Sequence, residues 1–467
     1  MENKIIQARF MLATLYFAIF ALFHYYCASA EHLETFHHPP ITSSLNCTAI
    51  LEGVNGHTES ENHRISYNDE KMLPVDCDSI RKRNYFPSSP ASKEEENFPI
   101  AYARTIFKDY VYIESELAAT YVPQNWYCFA MDAKSDELFH SRIRALASCF
   151  PNILVTKKEW VMDSSGHNTT NSFLECMKDL SKPEINWNYV ITLQNHDIAL
   201  KTNEEIVQIF KWFDGANDSE IDEAAEDAYT LDWGFEHLKL LRNAKHIKRG
   251  HPRRLQLSKS VVTTSFSRAT VEFIVNELDL TITIKQLDSL SYGVDEIAFP
   301  TLLTTDAIDI PAGYTHACLD KGITSEHITR FAVWDKEQCD SKYMRHLSCV
   351  FGVEDLRVHF VNSPYLFANK VMPEFDIGAI SCWHEEIFNR TYLERGKQRL
   401  HERIYTQLPL VRYHAEKRKY GFVDISKFDC HKSNAHTIRS SFNFSGSLTV
   451  FQLLSTLLFY LMTNTVY

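Results

Sequence analysis

The feature that most constrains this chain is a rhythm between residues 98 and 213, where short apolar runs alternate with amphipathic segments of helical length. The runs cover residues 98–107, 126–131, 152–155 and 187–193, and the segments 109–121, 137–149, 172–180 and 203–213 carry apolar residues at helical spacing. Such alternation predicts an α/β fold with a mainly parallel, doubly wound sheet flanked by helices, because parallel neighbours need a crossover between them. Ligands of these sheets bind beyond the carboxyl ends of the strands, near the switch in strand order. On that rule Asp132, ending the 126–131 strand, and Gln194, Asn195, His196 and Asp197, following the 187–193 strand, are candidate site residues.

The two ends of the chain point to its compartment. An apolar run at residues 10–23 follows Lys4 and Arg9 and precedes Ala28-Ser29-Ala30, so residues 1–30 read as a signal peptide or as an uncleaved type II membrane anchor. Either sends the chain into the secretory pathway, where the eleven cysteines find an oxidising lumen. Sequons at Asn46, Asn168, Asn217 and Asn389 are candidate glycosylation sites, and a further one at Asn443 is doubtful because it abuts a second apolar run at 448–462. Residues 446–467 therefore read as a glycolipid-anchor signal or a short membrane helix, with a buried terminal helix as the alternative.

Between these ends, residues 31–97 are polar and weakly periodic and read as a stem. Residues 98–400 form the predicted catalytic domain and 401–445 a C-terminal extension. Inside the domain, residues 214–256 break the alternation with an acidic stretch and then a basic one, ending at Arg253 and Arg254, as a long irregular insertion does. A formal net charge of −12 gives no electrostatic reason to bind nucleic acid. Serine-hydrolase, P-loop, zinc-protease and dinucleotide motifs are missing from the sequence. Its one Asp-x-Asp triplet, Asp76-Cys77-Asp78, lies in the stem with a cysteine at its centre, a poor place for a catalytic metal.

A series of strings, in order, then resembles one family. They are Leu45-Asn-Cys-Thr48, Ser92-Lys-Glu-Glu-Glu-Asn-Phe-Pro-Ile-Ala-Tyr102, Pro123-Gln-Asn-Trp-Tyr-Cys128 and Ser148-Cys-Phe-Pro-Asn-Ile153. Glu175-Cys-Met-Lys-Asp-Leu180, Trp187-Asn-Tyr-Val-Ile191, Leu200-Lys-Thr-Asn203, Tyr292-Gly-Val-Asp-Glu-Ile297, Cys349-Val-Phe-Gly352 and Phe367-Ala-Asn-Lys370 follow. Together they resemble the core-2/I-branching β-1,6-N-acetylglucosaminyltransferases (glycosyltransferase family 14), in particular its divergent nematode branch.

The resemblance implies a variant GT-A fold that uses a UDP-sugar donor and a glycan acceptor, needs no metal or other cofactor, and inverts the anomeric centre. It implies Glu296 as the catalytic base, Asp132 as a nucleotide contact, and Arg345 and Lys370 as diphosphate cations, with His346 the alternative to Arg345 because the spacing to Cys349 is one residue long. A base and fixed cations are what such a displacement requires. It also implies the disulfides Cys47–Cys382, Cys77–Cys149, Cys128–Cys176 and Cys339–Cys349, leaving Cys27, Cys318 and Cys430 open, and a Golgi membrane location with a lumenal catalytic domain, or the cell surface if the tail is a glycolipid signal. Departures lie at Thr105-Ile-Phe-Lys108 and Gln194-Asn-His-Asp197, on the expected donor side, so the donor is open between UDP-GlcNAc, UDP-glucose and others. The competing reading is a lectin-like or structural membrane protein that keeps the scaffold without turnover.

Overall fold

The computed structural model describes residues 35–54, 64–397 and 399–431. The leader, Cys27, Asn443 and the C-terminal apolar run lie outside the described residues. In chain order the strands are β1 (Ile100–Ile106), β2 (Trp126–Met131), β3 (Ile153–Val155), β4 (Tyr189–Leu193), β5 (Asp197–Ala199), β6 (Ser265–Ser267), β7 (Arg330–Phe331), β8 (Met344–Arg345), β9 (Ser348–Cys349) and β10 (Phe367–Asn369). The main sheet has the order β3-β2-β1-β4-β6, parallel except for β6, which runs antiparallel to β4.

Every residue of β1 is buried, as a strand covered on both faces requires. Its alternate residues feed two cores. Ile100, Tyr102 and Ile106 face the helices Tyr110–Thr120, Glu137–Ser148, Asn203–Phe213 and Pro373–Phe388, while Ala101 and Ala103 face Thr169–Leu180, Arg268–Glu277, Thr281–Leu287 and Ala298–Thr304. Arg104 is tolerated in this strand because its guanidinium donates to the carbonyls of Gln194, Asn195 and Asp197. The helix Asn203–Phe213 opens on a capping box between Thr202 and Glu205.

A second sheet, β5-β10-β7, stands beside the first, with β10 antiparallel to β5 and parallel to β7. The helical pattern does not predict β5, which follows β4 after only three residues and starts at Asp197. Five disulfides brace the described residues: Cys47–Cys382, Cys77–Cys149, Cys128–Cys176, Cys339–Cys349 and Cys318–Cys430.

Two expectations need correction. The stretch read as a stem is, over residues 35–54 and 64–97, part of the folded unit. Its helices Cys47–Glu52 and Cys77–Arg83 bury Ile50 and Ile80, two disulfides bind it to the domain, and buried Glu95 pairs with Arg395. Its weak periodicity reflects short helices held by distant partners. The insertion at 214–256 is irregular as expected, though anchored through Trp233, Phe235, Leu238, Leu240 and Leu255, and most of its basic run is exposed, with His246 meeting Glu277 at 3.0 Å and Lys248 meeting Asp309 at 3.8 Å. The second correction concerns Asn217, which is 0% exposed; its amide donates to Ala312 O at 3.1 Å and its oxygen accepts the Ser267 N–H at 2.9 Å, so the folded chain cannot carry a glycan there. Asn46 is exposed, and Asn168 and Asn389 are half-buried.

Candidate active site

The chain leaves β1 toward β2 and β3 on one side and returns to β4 on the other, so the strand order switches between β1 and β4, and the crevice expected at such a switch lies beyond the carboxyl ends of these strands. Along this edge Asp132 follows β2, Phe107 and Lys108 follow β1, and Gln194 to His196 follow β4. Asn195 joins two of these loops: its Oδ1 accepts the backbone N–H of Phe107 at 2.7 Å and of Lys108 at 3.3 Å. Asp132 accepts the backbone N–H of Lys134 at 2.9 Å and of Met162 at 3.4 Å. Asp197 ties the sheets together, accepting the Gln194 N–H at 2.6 Å and the Asn369 side-chain amide at 2.8 Å.

Lys370 directly follows β10, and its ammonium donates to the Arg345 carbonyl at 3.1 Å. Arg345 ends β8, and His346 and Leu347 turn the chain into β9 with φ of 48° and 62°, the positive values a two-residue hairpin of the I′ kind needs. The Cys339–Cys349 bridge ties the returning strand back to the chain ahead of β8. The extra residue before Cys349 therefore sits at a hairpin tip, and Arg345 and His346 both reach the neighbourhood of Lys370. Burial pushes the Lys370 ammonium down to about 8, with Arg330 and Arg345 adding like-charge repulsion against the pull of Asp197. Burial, Lys370 and Arg345 also hold His346 below its usual value.

Glu296 occupies the other wall. Gly293, at φ 67°, starts the short 3-10 turn Val294–Glu296 that leads into the helix Ala298–Thr304, and the Glu296 carbonyl accepts the Ser260 N–H at 2.9 Å. The half-buried carboxylate lies 4.0 Å from the Lys259 ammonium. Burial raises its pKa, Lys259 and Arg330 oppose that rise, and Glu220 adds to it. Neighbouring Asp295 is pushed up to about 7, first by burial and then by Glu296.

Two residues of this crevice escape sequence reasoning. Arg330, on β7, is 5% exposed; its Nη1 donates to Gln194 Oε1 at 2.7 Å and lies 3.7 Å from Asp197 Oδ1. Its charge acts on Glu296 and Glu220 on one side and on Lys370 on the other. An arginine within the apolar run 328–333 is a signal that could have flagged it. Glu220 accepts the Val261 N–H at 3.2 Å, and burial raises its pKa; it is one acid in an acidic stretch and gives no such signal.

Asp109, His196 and Glu374 converge closely enough to suggest a metal site. Lys108 already fills that role, pairing with Glu374 and lying 3.4 Å from Asp109, while His196 donates to Asp109 at 2.6 Å. The Asp76-Cys77-Asp78 triplet is committed elsewhere, since Asp76 caps a helix through the Ser79 N–H at 3.0 Å and Cys77 is bridged. A carboxylate of raised basicity and a group of cations, linked through Arg330, suit removal of a proton from one substrate while negative charge leaves the other.

Known proteins with similar sequences lead to the same chemistry. A family model described as Core-2/I-Branching enzyme matches residues 100–358. A human β-1,3-galactosyl-O-glycosyl-glycoprotein β-1,6-N-acetylglucosaminyltransferase is 27% identical over 386 residues, covering 77% of this chain and 88% of its own length. The rat enzyme of that name numbered 3 is 28% identical over 74% of this chain and 83% of its own, and a bovine enzyme is 28% identical over 76% and 87%. Because the family match spans more than half of the residues, running from the first strand of the sheet to beyond the Arg345 hairpin and taking in Glu296 and Arg345, the chain belongs to the core-2/I-branching enzyme family and is a glycosyltransferase.

Proposed function

We propose that this chain transfers N-acetylglucosamine, or another hexose, from a UDP-sugar to the 6-hydroxyl of a glycan acceptor with inversion, forming a β-1,6 branch on glycoproteins. The arrangement across the crevice carries this reading: a half-buried Glu296 of raised pKa stands on one wall, and Lys370 and Arg345 converge on the other. Glu296 takes the proton of the acceptor hydroxyl as its oxygen attacks the sugar C1 from the face opposite UDP. The bond from C1 to the phosphate oxygen breaks, its electron pair stays with the diphosphate, and Arg345 and Lys370 meet that charge in place of a metal. Asp132, at the end of β2, is our candidate for a nucleotide contact. Five disulfides among the described residues suit the lumen of the secretory pathway, and the apolar run at 10–23 is our candidate for holding the chain in the Golgi membrane.

The test is turnover of a panel of UDP-sugars by the full-length chain in detergent, with core-1 acceptors and EDTA present, beside Glu296→Gln. Transfer that survives EDTA and disappears in the variant supports the reading and identifies the donor. A wild type that binds no UDP-sugar by calorimetry sinks it in favour of the lectin-like alternative.

A further inference from the structure

Lys370 is surrounded mainly by its own sign. Arg330 approaches from β7 and Arg345 and His346 from the β8–β9 hairpin, while Asp197 from β5 opposes them and Glu374, on the helix Pro373–Phe388, pairs with Arg345 at 3.4 Å. Asp197 accepts the Gln194 N–H and the Asn369 amide and lies 3.7 Å from Arg330 Nη1, and Glu220 and Glu296 also feel the Arg330 charge. Arg330 is buried, yet its Nε–H has no hydrogen-bond partner among the described residues. A desolvated donor left without an acceptor is costly unless a ligand completes it. The buried cation, its orphaned donor and the two neighbouring cations together form a cradle for a dianion.

Resting on the transferase reading, we propose that Arg330 is a third diphosphate-binding residue, its Nε–H donating to a phosphate oxygen of the donor while Gln194 Oε1 and Asp197 fix the guanidinium plane. Gln194 then influences donor choice through Arg330, which gives the sequence departure at this position a physical role.

Calorimetric titration of UDP into the full-length chain at pH 8, in two buffers of different ionisation enthalpy, tests this. At that pH the phosphates of UDP are already deprotonated, phosphate second ionisations lying near 6. The free Lys370 ammonium, pushed down to about 8, is partly neutral, so a bound diphosphate draws a proton onto it and the wild type shows net uptake. Arg330→Met should weaken UDP binding by about tenfold or more. It should also reduce the uptake, since Lys370, relieved of one neighbouring cation, is protonated before UDP arrives; Arg330→Lys should restore part of both. His346→Asn, which removes the other titratable group on the hairpin, should leave the uptake in place. If Arg330→Met does not fold, Gln194→Ala keeps the guanidinium but removes its orienting acceptor and should weaken UDP binding in the same direction. A wild type that binds UDP while Arg330→Met or its substitute keeps the same affinity and uptake overturns the role of Arg330 alone. A wild type that binds no UDP overturns the transferase reading and this proposal with it.

Discussion

Residues 100–213, with β10 and the β8–β9 hairpin that carry Lys370 and Arg345, form one side of the site, and residues 214–330, which carry Glu296, form the other; both pack apolar residues, but the second leans more on buried polar bonds. The first wall is a product of apolar packing: β1, β2 and β4 are buried almost throughout, and helices cover them with Ile, Leu and Phe. The second wall uses short turns tied by buried polar side chains. Asp218 Oδ2 accepts the N–H of Ile328 at 2.9 Å and of Thr329 at 2.8 Å together with the Thr329 hydroxyl at 2.6 Å, and Asn217 holds Ser267 and Thr270. Packing is periodic and tolerates conservative exchange, whereas a side chain that satisfies several backbone groups has no substitute. The packed strands β1, β2 and β4 are thus the robust part, and the region with the base rests more on a few buried polar bonds.

The largest expected effect separates the walls by function. Glu296→Gln should lower kcat by about 10²–10⁴-fold, the usual range for loss of a general base, and leave UDP affinity unchanged in calorimetry. Lys370→Met should do the opposite first, weakening UDP binding by roughly 10–100-fold through loss of a charge-assisted bond. A Glu296→Gln variant that loses UDP binding would break the division of labour between the walls.

The next effect compares how the walls are held together. Asp218→Ala leaves two buried N–H groups and a hydroxyl unsatisfied and should cost about 3 kcal/mol or more by denaturant unfolding with the disulfides intact. On the packed wall, Ile191→Val deletes one fully buried methyl group and should cost about 1 kcal/mol. Equal losses would mean that the second wall is no more dependent on its polar bonds than the first.

The same contrast explains what the sequence made legible. The order of strand and helix through residue 213 was readable because each element spans enough residues to show a period, and Asn203–Phe213 has the predicted bounds. Strands β5, β7, β8 and β9 have two or three residues each, too few for any period, and β5 and β10 pair across more than 160 residues of chain. Asp132, Glu296, Arg345 and Lys370 stood out because local strings carry them. Arg330 and Glu220 did not, since what places them beside Glu296 and Lys370 is tertiary: β7 lying against β10, and a backbone N–H at Val261. The packing of residues 64–97 was hidden for a related reason, because disulfides and long-range ion pairs leave no periodic trace.

The smallest effect is one of sign, and it sets a carboxylate from each wall against the other. Asp295, beside the base, is pushed up to about 7 by burial and by Glu296. It binds its proton more tightly folded than unfolded, so its contribution to stability is complete below the unfolded value near 4 and is lost as pH rises through about 7. Asp109, on the first wall, is pushed up by burial, but the His196 hydrogen bond and the Lys108 charge outweigh that and hold it below the usual carboxylate range. Its contribution is present above the unfolded value and is lost as pH falls through the lower folded one. In unfolding midpoints measured from pH 3 to 8, Asp295→Asn should therefore gain on the wild type as pH rises from about 4 to 7. Asp109→Asn should instead lose less against the wild type the further pH falls below about 4. If both variants follow the same slope, burial alone governs both carboxylates, and the His196 hydrogen bond and the Lys108 charge do not hold Asp109 below its usual range.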